Sequence, residues 1–393
     1  MTLSYKSTKI ACYVGYVVQA IVNNFLPILF IIFNTRYNLD YEQLGRILFI
    51  NFFVQLIADA FTPFFVKRVG YRTVSIICHA MAALGLSLLG ILPYFVKNIY
   101  YAIVVSVAFY ACGSGIIEVC LSPMVELLPS KKKAAEMVFL HSFYCWGQAF
   151  TVLVTTALLL LLGDSNWQLI PLLWAIIPFV NMFSFLKVPI IEEPEGQKCE
   201  TVVSLFKHKE FWIFAIFMIC AGVSEISMAE WASLFAQNAL GTSKVVGDLL
   251  GPCAFALFMG TGRVVFGILG DRISRRKALI INNILCFGCY IAVAFLNIPI
   301  LSLVACAFCG FTVSLSWPGT YSMAAECFPS GSTLMFSILA LCGDFGCSIG
   351  PWLLGAVADR FSLQSGFMAC SMFPIIAVIA AICLKNNKVA NSA

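Results

Sequence analysis

Apolar residues run along this chain in long blocks rather than alternating with polar ones, and each block ends at a short polar or basic interruption. Blocks of roughly 18 residues or more mark helices that cross a bilayer, because a span takes about 20 apolar residues. On that rule the pattern predicts helices at 8–33, 41–66, 73–95, 99–126, 134–162, 168–189, 209–236, 246–269, 278–296, 299–326, 333–358 and 365–384. The first block is too long for the apolar stretch of a secretory signal and has no small-residue cleavage site, so it reads as the first span. The expected fold class is an all-α membrane protein of about twelve transmembrane helices.

The longest polar interruption, about 187–209, contains Glu192, Glu193, Pro194, Glu195 and Gly196 and divides the spans six and six. It predicts a six-helix N-terminal half (1–190), a cytoplasmic linker (191–208) and a six-helix C-terminal half (209–393). An internal repeat supports the division. Ser122, Glu126, Pro129 and Ser130 recur at one constant offset as Ser322, Glu326, Pro329 and Ser330, each set closing a span. Duplicated halves with a site near the midplane between them are a common transporter plan.

Composition removes the soluble alternatives. Of 393 residues, 61% are hydrophobic and 11% charged, where a soluble domain carries about 25% charged residues. The net charge of +5 comes from basic residues scattered through short loops, not gathered on one soluble face, which argues against nucleic acid as a partner. Their distribution orients the chain. With the N-terminus inside, eighteen Lys and Arg fall in cytoplasmic segments and five outside, so both termini are expected in the cytoplasm of a protein crossing the cell membrane many times. Most of the 17 cysteines lie inside apolar runs. Cys286 with Cys289 and Cys306 with Cys309 make two CxxC spacings, but without His or acidic partners at ligand spacing, so helix packing is expected over zinc or redox use.

After the eighth span the chain reads Gly267, Ile268, Leu269, Gly270, Asp271, Arg272, Ile273, Ser274, Arg275, Arg276, Lys277. This resembles the loop signature of the major facilitator superfamily, at the place where that superfamily carries it. After the second span Arg68, Gly70 and Arg72 remain, with Lys67 where the Asp would stand. Within the superfamily the chain looks most like the fucose and glucose permease branch. The likeness rests on Asn23, Asn24 and Pro27, on Gly113, Gly115 and Glu118, and on the run from His141 to Gln148. The resemblance implies the major facilitator fold and transport by alternating access. In that branch an Asp of the first helix often helps bind substrate or couple protons; here Asn23 and Asn24 occupy the region.

A charge at mid-bilayer costs about 2.5–3.5 kcal/mol on insertion scales and so marks a candidate site. Asp59, Glu118, Glu225, Glu230, Arg263 and Asp344 all lie inside spans. Glu118, Asp344 and Glu225 are the candidates for carrying a coupled proton, with Glu225 preferred to Glu230; the alternative for each is a neutral carboxyl satisfied within the bundle. His141 and Gln148 are seven residues apart and share a helical face with Tyr144 and Cys145. With Asn23, Asn24 and Trp317 they are the candidate substrate contacts, and Trp317 beside Pro318 and Gly319 reads equally as a packed kink. Asp271, Arg272 and Arg275 are candidates for gating by holding helices together, or serve orientation alone. Asp59 and Arg263, at equivalent places in the second and eighth spans, either pair across the halves or are satisfied separately.

The function expected is a proton-coupled secondary transporter of a small polar solute of the sugar type. The alternatives are an exporter of amphipathic compounds and, from another class, a membrane-embedded enzyme or receptor. No nucleophile, base and orienter come together in the spans, so no enzymatic activity is expected. The expected partners are a small-molecule substrate, protons and the lipid bilayer, with no cofactor and no metal, in a monomer.

Overall fold

The computed structural model describes residues 4–129, 133–191, 205–269, 273–296, 298–328 and 333–384. Asp271 and Arg272, most of the 191–208 linker, and Ser130, Pro329 and Ser330 of the repeat lie outside the described residues.

Among the described residues, eleven helical stretches are long and apolar enough to cross a bilayer. One of them, Tyr41–Tyr94, has 54 residues and would reach about 80 Å if straight, against a hydrocarbon core of about 30 Å. It breaks at Gly70, whose φ of 76° and ψ of 161° are non-helical, a conformation open to a residue without Cβ. Among the described residues the helices long and apolar enough to cross a bilayer therefore number twelve, as the apolar blocks predict.

In order these are α1 (Tyr5–Tyr37), α2 (41–69), α3 (71–94), α4 (Ile99–Leu127), α5 (Lys133–Leu162), α6 (Leu169–Lys187), α7 (Lys209–Asn238), α8 (244–269), α9 (Arg275–Phe295), α10 (Pro299–Cys327), α11 (Thr333–Arg360) and α12 (Leu363–Cys383). Four of them, α1, α8, α10 and α12, are broken near a proline, which removes a backbone donor. In α1 a 3₁₀ turn, Leu26–Leu29, forms around Pro27. In α8 a π-helical turn, Leu249–Cys253, holds Gly251 and Pro252. In α10 the helix stops at Val313 and restarts at Ser316, which puts Pro318 in a first turn, where its missing N–H costs nothing.

Burial sorts the helices into an inner and an outer set. In α1 and α7, 89% and 78% of the spanning window is buried, against 39% in α6 and α9, so the first helix of each half is central and the latter two face lipid. Close approach is built from glycine. A Cβ on Gly346 of α11 would overlap the Ile219 carbonyl of α7, and one on Gly222 of α7 would overlap the Gly343 carbonyl of α11, the small-residue packing expected between membrane helices. The two CxxC pairs meet between α9 and α10, with Cys286 and Cys309 sulfurs 3.8 Å apart.

The repeat is visible in two arginines. Arg72, at the start of α3, donates to the carbonyls of Phe185 (2.7 Å), Leu186 (3.0 Å) and Val188 (2.9 Å) at the end of α6. Arg276, at the start of α9, donates to Ala381 (2.8 Å) and Ile382 (2.5 Å) at the end of α12. Each basic loop thus caps the carbonyls that the last helix of its own half leaves without an intrahelical donor.

Contacts joining the halves gather at the end away from the termini. There Lys244 Nζ donates to Ile28 O at 2.7 Å, Asn238 Nδ2 to the Tyr41 hydroxyl at 3.1 Å, and Trp352 Nε1 to Glu42 at 3.3 Å. Trp231 packs edge-on against Phe30 and Tyr41. Near the termini, Lys9 bonds Glu136 at 2.5 Å and Arg275 pairs with Glu326, each within one half.

Candidate functional site

Three groups of polar side chains lie between the central helices, most of them buried, where an unpaired polar atom is costly. Asp59 (α2), Glu118 (α4) and Asp344 (α11) each offer a carboxylate oxygen, and these oxygens all lie within 4.8 Å of one another. Two glutamines serve Glu118 Oε2, Gln19 from α1 at 2.5 Å and Gln55 from α2 at 3.2 Å. Asp59 and Asp344 are buried, whereas Glu118 keeps partial exposure. The acids of both halves are thereby brought to one point, where three negative charges require protons or a cation to offset them.

The second group centres on Arg263 of α8. Its Nη2 lies 3.9 Å from Glu225 Oε1 of α7. His141 stacks edge-on to Tyr16 with ring centroids 5.1 Å apart, and the Tyr16 hydroxyl is 2.5 Å from Ser122 Oγ. In this structure Arg263 is engaged by Glu225 of its own half, and Asp59 faces acids. The two are not paired with each other here, because symmetry-equivalent positions need not touch.

The third group is uncharged apart from one carboxylate. Asn23 Oδ1 accepts from Asn51 Nδ2 and Ser114 Oγ, both at 3.4 Å, and Asn24 Nδ2 donates to the Tyr144 hydroxyl at 3.4 Å. Glu230, on α7, is 2% exposed. Both of its carboxylate oxygens, and Gln148 Oε1, are buried with no partner. A buried acceptor left in this way carries a desolvation cost that a donor would relieve.

Of the expected substrate contacts, Asn23, Asn24 and Gln148 fall in or beside this third group, and His141 lies with Arg263. Trp317 is placed otherwise. Its ring packs against Gly343, where any side chain would overlap it, and it joins Phe52, Ile226 and Cys347 in an apolar cluster between the halves. Of the gating candidates, Arg275 pairs with Glu326. Sequence reasoning left out Gln19, Gln55, Asn51 and Asp248. The signal was present for Gln55, four residues before Asp59 and so on its face.

The sequence matches the family model of the Major Facilitator Superfamily over residues 12–299 and again over 250–393. The chain belongs to this superfamily. Among curated proteins, this major facilitator chain is 20% identical over 279 residues to the membrane protein MosC of Rhizobium meliloti, covering 70% of this chain and 67% of MosC. It is 25% identical over 114 residues to a multi-drug resistance efflux pump PmrA homolog of Lactococcus lactis, covering 29% of this chain and 28% of that protein.

Solved major facilitator structures share its fold. A D-xylose-proton symporter superposes with a TM-score of 0.78 at 16% identity, covering 96% of each chain. The nucleoside transporter NupG gives 0.75 at 13%, covering 95% of this chain and 99% of that one. The E. coli fucose:proton symporter FucP gives 0.67 at 15%, covering 95% and 97%. The superfamily and the fold implied by the loop signature are thus both found.

Proposed function

We propose that this chain is a secondary active transporter of a small polar solute of the sugar type, coupled to protons by alternating access. The observation that carries the reading is the meeting of Asp59, Glu118 and Asp344 from both halves in the membrane core. A carboxyl that crosses the midplane protonated and empties on the other side links solute movement to a proton gradient. Because Asp344 comes from α11 and the other two from α2 and α4, a motion that parts the halves changes the environment of all three. Glu225 is the further proton carrier, held by Arg263.

In this reading Asn23, Asn24, His141 and Gln148 contact the solute, joined by Glu230, whose oxygens lack partners. Trp317 closes the site with Phe52. Halves 1–190 and 209–393 rock about the site, joined by a cytoplasmic linker. Asp271, Arg272, Arg275, Asp59 and Arg263 bias the equilibrium between states. Both termini face the cytoplasm of the cell membrane, which places the Lys244–Asp248 end of the bundle on the outer side. Two of the structures similar in fold are titled proton symporters of D-xylose and fucose, which accords with the reading.

A second reading, export of amphipathic compounds, is favoured by the partial match to an efflux pump homolog. One experiment separates them. Purified protein in proteoliposomes is given a panel of labelled pentoses, hexoses, nucleosides and amphipathic cations, with and without an imposed pH gradient. Gradient-driven accumulation of a sugar supports the first reading; transport of the amphipathic cations alone replaces it with the second.

A further inference from the structure

We propose that Asp59, Glu118 and Asp344 form a binding site for a hard metal cation of the size of Na+ or Ca2+, with ligands drawn from both halves. This deepens the proposed function, since it rests on the same acids, and it makes cation and proton competitors for one site.

The spacing of the three acids is close to what such an ion requires. Oxygens bound to one Ca2+-sized ion at about 2.3–2.6 Å stand at most about 4.6–5.2 Å apart, and here the three carboxylate oxygens lie within 4.8 Å of one another. Mg2+ holds its oxygens at about 2.0–2.1 Å, in near-ideal octahedral geometry. The ligand set is all oxygen, which selects hard cations over those that favour imidazole or thiolate. Among the described residues, no Lys or Arg is ion-paired with any of the three acids.

Two neutral side chains point to a ligand independently of the acids. Gln19 and Gln55 are 3% and 2% exposed, and both direct their amides at Glu118 Oε2. Each is left with Oε1 buried and without a partner. A half-turn about the last side-chain bond exchanges amide nitrogen for oxygen and presents that oxygen to an ion among the carboxylates. Asp59 Oδ1 and Asp344 Oδ2 are also buried without partners, so the site holds more acceptors than the protein supplies donors. Space for Asp59 comes from Gly115, where a Cβ would stand 2.6 Å from Asp59 Oδ1. The partial exposure of Glu118 gives the ion its way in. Because Asp344 sits on α11 and its fellow ligands on α2 and α4, a bound ion favours the arrangement in which these helices are together.

The test is a calorimetric titration of the purified full-length protein in detergent, in Na+-free buffer with divalent ions removed. NaCl, CaCl2 and MgCl2 are titrated separately, each at mildly alkaline and at acidic pH. Saturable binding of about one Na+ or Ca2+ per chain is expected, with proton release and weaker binding at acidic pH. The Na+ and Ca2+ arms distinguish a monovalent from a divalent site. Asp59→Asn and Asp344→Asn are expected to weaken binding about tenfold or more. Should a variant not fold, the rise in the melting temperature of the parent protein on adding the ion reads the same event. Absence of both saturable heat and thermal shift in the parent, or binding unchanged in the two Asn variants, overturns the proposal. Accumulation driven by a pH gradient in Na+-free, chelated proteoliposomes is measured alongside. Its persistence with a negative titration removes the cation site and leaves proton coupling standing. A positive titration with no gradient-driven accumulation of any solute does the reverse.

Discussion

Thr156 Oγ1 donates a hydrogen bond to Asp248 Oδ2 at 2.7 Å, which joins α5 of the first half to α8 of the second at the end away from the termini. Asp248 is fully buried, accepts from Ser233 on its other oxygen, and has Lys244 Nζ at 3.2 Å. Lys244 in turn reaches the Ile28 carbonyl of α1. One buried carboxylate thus organises a latch whose members come from both halves, beside the π-helical turn of α8.

Asp248→Ala removes the acceptor that three donors share and leaves the Lys244 charge without its counter-ion, at an expected cost of about 3 kcal/mol. Thr156→Val, which loses one hydrogen bond, costs about 1 kcal/mol. Combined, the two are expected to cost little more than Asp248→Ala alone. Thermal unfolding in detergent measures all three; strictly additive losses would show that the side chains act separately.

Arg263 and Glu225 are expected to behave as a pair. Arg263→Ala leaves the Glu225 carboxylate without its cation, and Glu225→Gln leaves Arg263 without its anion. The double variant is expected to lie closer to the parent in stability than Arg263→Ala does, because no unpaired charge is then left behind. The same melting experiment checks this, and a double variant worse than both singles speaks against the pairing.

The spans were legible because an apolar block long enough to cross lipid is seldom stable anywhere else, and the break at Gly70 fell between two predicted helices. What stayed hidden was contact between the halves. The repeat places Asp59 opposite Arg263 in sequence, yet in space Asp59 meets Asp344. Equivalent positions are related by a rotation, and helix packing decides neighbours. Asp248 escaped notice because a charge near the end of a span is ordinary in a sequence, and only folding buries it. In the sequence Glu225 is preferred to Glu230 for its place near the middle of the span and its different face; residues 220–236 of α7 are buried on every side, so both acids face the interior.

Glycine packing between α7 and α11 gives a prediction with its own control. Gly346→Val drives a side chain into the Ile219 backbone and is expected to cost about 1–3 kcal/mol or prevent folding. Gly288→Ala, whose added Cβ meets nothing within 4 Å, is expected to leave the melting temperature unchanged. Equal tolerance of both would contradict the packing described.

Arg72 is expected to be irreplaceable by Lys at the end of α6. Three carbonyls accept from its two terminal nitrogens, and an ammonium has no planar fork with which to span them. Arg72→Lys is expected to recover less than half of the stability lost in Arg72→Ala, about 1.5–3 kcal/mol by the same assay. Full rescue by Lys would reduce the residue to a point charge.

The central claim, that a carboxylate shared between helices of both halves couples transport to protons, is tested most directly at Glu118. Glu118→Gln keeps the shape and the contacts with Gln19 and Gln55 but cannot titrate. With the solute identified from the panel, uphill accumulation under a pH gradient and exchange of labelled for unlabelled solute are measured in the same proteoliposomes. Loss of accumulation with exchange retained is the predicted result, whereas a variant that accumulates solute as well as the parent would contradict the account.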